Sequence, residues 1–218
     1  MIKFLEKLLN LIYIQDCYFC KSTKEDTLLC SKCYSKIHFL PTAILKDYKN
    51  CKIYSCCLYE GIIKNLIQSL KYKNQKKLAP VAAKLMYEFW KNLNIEEKFI
   101  VLPVPIHKSR LKERKYNHMD LICKEFCKLT NYKLEKNFLI RTKDTKKQYN
   151  LHKQERINNI KDAFDIKENN LPDKQTNLLI LDDITATGIT LEEIIKLLRK
   201  NGYKNITGLT LSTPDIWN

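Results

Sequence analysis

Glycine and proline are scarce, 4 and 6 in 218 residues, which excludes a collagenous chain, a glycine-rich linker protein and a low-complexity disordered chain. Long apolar runs are missing as well: none approaches the roughly 18 residues that span a bilayer, so stable membrane insertion is not expected. A secretory leader is not expected either. In MIKFLEKLLNLIYIQDCYFC, Glu6 and Lys7 interrupt the apolar stretch and Asp16 stands where a cleavage site needs a small residue. Arginine contributes only 5 of the 39 basic residues. What remains is 44% apolar and 29% charged, the composition of a globular protein with one medium domain, or one domain and a small appendage.

The formal charge of +15 is uneven: residues 1–50 carry +3, 51–100 carry +5, 101–160 carry +9 and 161–218 carry −2. A lysine excess with abundant Ile and Asn also follows from an AT-rich genome, so charge alone does not identify a polyanionic partner. The placement of arginine is more informative, because four of the five fall between Arg110 and Arg156.

At the N-terminus, Ile2, Leu5, Leu9 and Ile12 recur at helical spacing. Beyond residue 50, apolar patterning alternates between strand and helix. Strands are expected at Ile53–Tyr59, 99–105, Lys133–Ile140 and Ile206–Leu211, with Ala163–Ile166 adding a short one. Helices are expected at Gly61–Leu70, Lys77–Asn92, His118–Leu129 and Leu191–Lys200. The run NLLIL at 177–181 has the near-continuous apolar character of a strand buried on both faces. Such alternation predicts an α/β fold, a mostly parallel sheet flanked by helices. Residues 1–45 form a separate N-terminal unit in this reading and 46–218 the α/β domain.

Nine cysteines without a leader point to reduced thiols in a cytoplasmic protein rather than to disulfides. Cys17, Cys20, Cys30 and Cys33 form two C-x-x-C knuckles, the ligand spacing of a structural zinc site with four thiolates. Zinc would fold a segment too small to build its own core. His38 is expected at the surface, and Cys51, Cys56, Cys57, Cys123 and Cys127 are expected as small buried hydrophobes.

The chemistry is concentrated in the segment from Leu178 to Thr190. A buried strand ends in Asp182 and Asp183, and Ile184, Thr185, Ala186, Thr187 and Gly188 lead into a helix through Ile189 and Thr190, with Thr190 and Glu193 at capping-box spacing. Backbone N–H groups of such a turn bind a phosphate, Gly188 permits close approach, and the threonine hydroxyls add donors. The two carboxylates at the sheet edge suit the vicinal hydroxyls of a ribose, or Mg²⁺. This segment looks like the signature of type I phosphoribosyltransferases, which bind 5-phosphoribosyl-1-pyrophosphate with Mg²⁺.

Further segments narrow the resemblance: the paired cysteines, Tyr59-Glu60-Gly61, Leu70-Lys71-Tyr72-Lys73, Pro103-Val104-Pro105, Arg110, Arg114-Lys115-Tyr116-Asn117-His118, Arg141, Gln148, Leu151, Arg156, Asn159 and Ala163-Phe164. In this order they resemble the ComF family of competence-associated, phosphoribosyltransferase-like proteins. In that family's pattern a glycine stands where this chain has Lys115 and a glutamine where it has His118.

The resemblance implies a type I phosphoribosyltransferase-like domain with a small N-terminal four-cysteine zinc module, and a pyrophosphate site near Arg110 with Lys71 and Lys73 as further contacts. It also implies a flexible loop carrying Arg141, Lys143, Lys147, Gln148 and Arg156. Catalysis, if present, falls to Asp182, Asp183 and Arg110. The implied partners are 5-phosphoribosyl-1-pyrophosphate, single-stranded DNA and a ComFA-like helicase. A nucleobase-salvage enzyme and a catalytically silent DNA-binding adaptor are the alternatives.

Overall fold

A computed structural model describes residues 15–42, 46–145, 153–167 and 172–214. The expected N-terminal helix of Ile2, Leu5, Leu9 and Ile12 lies outside these residues, as do Lys147, Gln148 and Leu151.

The strands are β1 (Lys46–Tyr48), β2 (Cys51–Leu58), β3 (Ile100–Pro103), β4 (Lys133–Leu134), β5 (Leu139–Arg141), β6 (Phe164–Ile166), β7 (Leu178–Ile184) and β8 (Ile206–Thr213). The helices are α1 (Ser31–Tyr34), α2 (Gly61–Tyr72), α3 (Ala79–Lys91), α4 (Lys108–Arg114), α5 (His118–Thr130), α6 (Lys153–Ile160) and α7 (Ile189–Lys200). Six strands form one sheet in the order β1-β2-β8-β7-β3-β4. All its pairings are parallel except β1 with β2. The expected mostly parallel α/β sheet is therefore present.

Period-two alternation along the inner strands divides the core into two layers. Leu179 and Leu181 of β7, with Leu209 and Leu211 of β8, pack toward α2, α3 and α5. Leu178, Ile180 and Ile206 face the opposite way, onto Leu191, Ile194, Ile195 and Leu198 of α7. Full burial on both faces explains why 178–181 reads as an unbroken apolar run. Gly208 sits where β8 passes beneath α7: a β-carbon there would lie 3.1 Å from Leu191 and 3.3 Å from Ile53.

One expectation needs correction. Lys133–Ile140 is not one strand. Leu134 packs with the α2/α3/α5 layer, whereas Phe138 and Leu139 are buried in the α7 layer, so the chain must break at 135–138 to change sides. Its second half pairs antiparallel with β6 in a separate two-stranded sheet. Helix α4 is not among the expected helices: it buries no residue and so leaves no apolar period to read. It is fixed at its ends instead, by His107, whose ring accepts from the Ser109 N–H, and by Lys115 in the left-handed conformation at φ 64°.

The N-terminal cysteine region is joined to this sheet. Leu40 and Leu58 donate backbone hydrogen bonds to the carbonyls of Cys56 and His38, respectively, along β2, and Tyr34 donates to the Glu88 carboxylate on α3 at 3.0 Å.

A test of the layer packing follows from Gly208. Gly208→Val should cost about 1–3 kcal/mol of stability by overpacking, read as a lower denaturant midpoint at unchanged slope.

Candidate functional site

The chain leaves β3 toward β4 and leaves β7 through α7 toward β8, on the other side. The carboxyl ends of β3 and β7 therefore flank a point where strand order reverses, the position at which open α/β sheets form a crevice for ligands. Their register aligns Pro103 with Leu181, and the next residues outward on β7 are Asp182 and Asp183.

These two acids stand in different surroundings. Asp183 is buried at 4% exposure and meets two donors. The Lys71 ammonium, at the end of α2, lies 2.6 Å away, and Nε2 of His118, the first residue of α5, contacts the same oxygen. Burial alone would raise its pKa, but the Lys71 charge and the His118 contact outweigh it and hold the carboxyl well below the usual carboxylate range. Asp182 is half-buried. Burial and the neighbouring Asp183 charge push its pKa upward, with Lys71 and Arg141 only partly offsetting them. His118 is itself buried at 3% exposure, and burial draws its pKa down. Its Nδ1 has no hydrogen-bond partner, which suits a neutral ring donating through Nε2.

Sequence reading gave His118 no role in the site; its only signal was the departure from the glutamine of the family pattern. At the other departure, Lys115 adopts the left-handed backbone that a glycine would take at no cost. The shape of the turn is kept despite a local cost on the order of 1–2 kcal/mol.

After Ile184 the chain turns through Thr185, Ala186 and Thr187 to Gly188, which caps α7 with φ 77°. Thr185 is buried and its N–H still pairs with the Ser212 carbonyl. Gly188, not Thr190, occupies the cap position, and no side chain caps the helix. The expected capping box is therefore absent: Glu193 instead accepts from the Asp162 N–H at 2.9 Å. Lys46 braces the turn by donating to the Thr187 carbonyl at 3.1 Å and pairing with Glu192, a contact between residues too distant in sequence for any local pattern to show. The leading N–H groups of α7 around Gly188 and Ile189, at the positive end of the helix dipole, make a turn suited to an anion.

Arg110 and Arg141 meet nearby at Thr145. Arg110 donates to the Thr145 carbonyl at 3.0 Å, and Arg141 donates to its hydroxyl. Burial, reinforced by the Arg110 charge, lowers the Arg141 pKa to about 10, and Arg141 Nε is buried without a partner. Among the described residues neither guanidinium makes an ion pair with a carboxylate, a state that suits a bound anion.

Other candidates fall outside this cluster. Lys73 is exposed at the end of α2. Lys143 is exposed and donates to the Lys161 carbonyl. Arg156 lies on α6, but its side chain is outside the described residues. Lys71, by contrast, is not a solvated helix end, since its side chain is only 18% exposed and committed to Asp183.

The four knuckle cysteines converge, with all sulfurs within 4.8 Å of one another. Lys21 at φ 63° closes the first knuckle and returns its N–H to the Cys17 carbonyl. His38 is exposed and pairs with Glu60. Cys51, Cys56, Cys57, Cys123 and Cys127 are all buried, as expected of small hydrophobes. Among the described residues no helix is long and apolar enough to cross a membrane.

The opposite shifts of the two carboxyls give a signed prediction for the ligand-free protein. A raised carboxyl pKa means that the native state loses stability as pH climbs above the ordinary aspartate value of 3.8. Asp182→Asn should therefore raise the melting temperature at pH 8, with the gain vanishing below that ordinary range. Asp183 contributes in the opposite sense: its stabilisation is present above the ordinary value and is lost as acid titrates it, so Asp183→Asn should lower the melting temperature at pH 8.

No family model matches the chain. It is 32% identical over 147 residues to Competence protein F of Haemophilus influenzae, covering 65% of this chain and 63% of that protein. The match thus spans just under two thirds of that relative's length. It is 26% identical over 199 residues to DNA utilization protein YhgH of Shigella flexneri, covering 87% of this chain and 86% of that one. Among solved structures, adenine phosphoribosyltransferase from Trypanosoma brucei, in complex with AMP, pyrophosphate and ribose-5-phosphate, is 13% identical. It superposes with a TM-score of 0.38 over 67% of this chain and 68% of its own. The chain is thus similar to Competence protein F and to YhgH, and it carries the motifs described above on a mostly parallel α/β sheet.

Proposed function

We propose that the chain binds 5-phosphoribosyl-1-pyrophosphate with Mg²⁺ at the carboxyl ends of β3 and β7, and serves DNA uptake as a phosphoribosyltransferase-like protein. One observation carries this reading: an acid pair at the sheet's switch point runs directly into a glycine-capped helix N-terminus. The 5′-phosphate would take the turn from Ile184 through Thr190, with backbone N–H donors and the hydroxyls of Thr185, Thr187 and Thr190. Asp182 would accept from the ribose hydroxyls, and Asp183, fixed by Lys71 and His118, would complete the acidic edge. Arg110 and Arg141 face the pyrophosphate end, with Lys71 and Lys73 on the α2 side. Lys143, Lys147 and Gln148 belong to the loop that closes over the ligand in this reading, and Arg156 follows it on α6.

The donor set fits Mg²⁺, which favours one or two carboxylates together with ligand phosphates. When bound, it would neutralise charge on the pyrophosphate. The remaining work falls to the chain. Catalysis needs no covalent nucleophile: as pyrophosphate leaves, positive charge develops at C1′, where the carboxylates stabilise it, while Arg110 and Arg141 take up the charge of the leaving group. The acceptor would be a base. The four-cysteine cluster fits one tetrahedral Zn²⁺ in a closed, structural role, with residues 1–45 as its module and 46–218 as the ligand-binding domain.

Calorimetry with 5-phosphoribosyl-1-pyrophosphate and Mg²⁺ should give saturable binding that the Asp182→Asn, Asp183→Asn double variant loses. Equal binding by that variant would refute the assignment. Pyrophosphate release on adding a base would establish transfer.

Handling of single-stranded DNA is the second part of the reading. It is supported by the +14 carried by residues 51–160 and by the similarity to Competence protein F and DNA utilization protein YhgH. DNA affinity should fall steeply with salt, as counterion release requires. Weak, salt-insensitive binding would remove this role.

A further inference from the structure

The cysteine module touches α2 at both ends. At the start of the helix, Ile62 packs with Phe19 and Leu29 against the cluster of Cys17, Cys30 and Cys33. At its end, Tyr18, which lies inside the first knuckle, donates its hydroxyl hydrogen to Ser69 Oγ at 3.0 Å. Ser69 is fully buried and passes the bond on, donating to Asn65 Oδ1 at 3.1 Å. The Ser69 carbonyl then stops the helix by accepting from the N–H groups of Lys73 and Gln75. Lys71, whose ammonium reaches Asp183, stands two residues after Ser69, in the turn that this carbonyl closes. A shift or rotation of the last turn of α2 would move that ammonium directly, and Tyr18 holds this turn from the cysteine module.

From this geometry we infer that Tyr18 is a positioning residue for the Lys71–Asp183 pair: the knuckle hydroxyl, through Ser69, sets where Lys71 stands and so couples the cysteine module to the acidic edge of the sheet. Another hydroxyl contact from the module to the α/β domain, Tyr34 with Glu88, ends on α3, which does not carry Lys71. That contact provides an internal control of the same chemistry.

The consequence for ligand affinity rests on the ribosyl-site reading above, whereas the Lys71 contact is measured without ligand. Full-length wild type, Tyr18→Phe and Tyr34→Phe, all with the four cysteines intact, are treated with an amine-acylating reagent. Labelling is then read residue by residue by mass spectrometry, with exposed Lys73 as the reference. Losing one hydrogen bond's worth of restraint should raise Lys71 labelling relative to Lys73 about five-fold in Tyr18→Phe and leave Tyr34→Phe like wild type. Unchanged Lys71 labelling in Tyr18→Phe, or an equal rise in both variants, overturns the inference. In the same chains, 5-phosphoribosyl-1-pyrophosphate with Mg²⁺ should bind about five-fold more weakly to Tyr18→Phe only. A wild type that binds none of it removes the ribosyl-site reading, while the labelling comparison still decides the role of Tyr18.

Discussion

Three elements meet on one carboxylate. Asp183 arrives on β7, Lys71 on α2 and His118 on α5, and each would be costly to bury without the others. A carboxylate taken out of water requires compensation by charge and hydrogen bonds. Here the compensation comes from two helices of the same layer, so the geometry of that layer and the ionisation of the site are one problem. Removing Lys71 would leave a buried, uncompensated anion, which typically costs several kcal/mol. The pair is thus a constraint on the fold as much as a feature of the site.

From that constraint follows a division between neighbours. Because Asp183 is neutralised from within, Asp182 is the acid left to respond to whatever enters the crevice. It lies beside an anion-suited turn at Gly188 and faces a region reached by Arg110 and Arg141. Negative and positive groups are thereby sorted along one sheet edge, which in the proposed function puts the carboxylates toward the sugar hydroxyls and the guanidinium groups toward the pyrophosphate. The same edge connects backward through Ser69 and Tyr18 to the cysteine knuckles, so the small N-terminal unit is packed into the support of the site.

Much of this is legible in the amino-acid sequence. Residues 177–181 announce a doubly buried strand, and the acids and glycine that follow are adjacent in sequence, so the centre of the site reads as a local pattern. The cysteine cluster is legible for the same reason. What escapes are contacts between distant residues. The clasp of Lys46 on Thr187 and Glu192 spans most of the chain, and His118 meets Asp183 across 65 positions. Helix α4 buries nothing and so gives no period. The break in 133–140 depends on which layer each half enters, a question the local alternation does not decide. The capping box fails on a tertiary demand, since Glu193 is claimed by the Asp162 backbone.

The division between the two acids is tested most directly by an NMR titration of the side-chain carboxyl carbons of Asp182 and Asp183 in the ligand-free chain. Asp183 should remain ionised down to acid unfolding, while Asp182 takes up its proton above the ordinary aspartate range. Titration of both near the ordinary value, or in the reverse order, would contradict it.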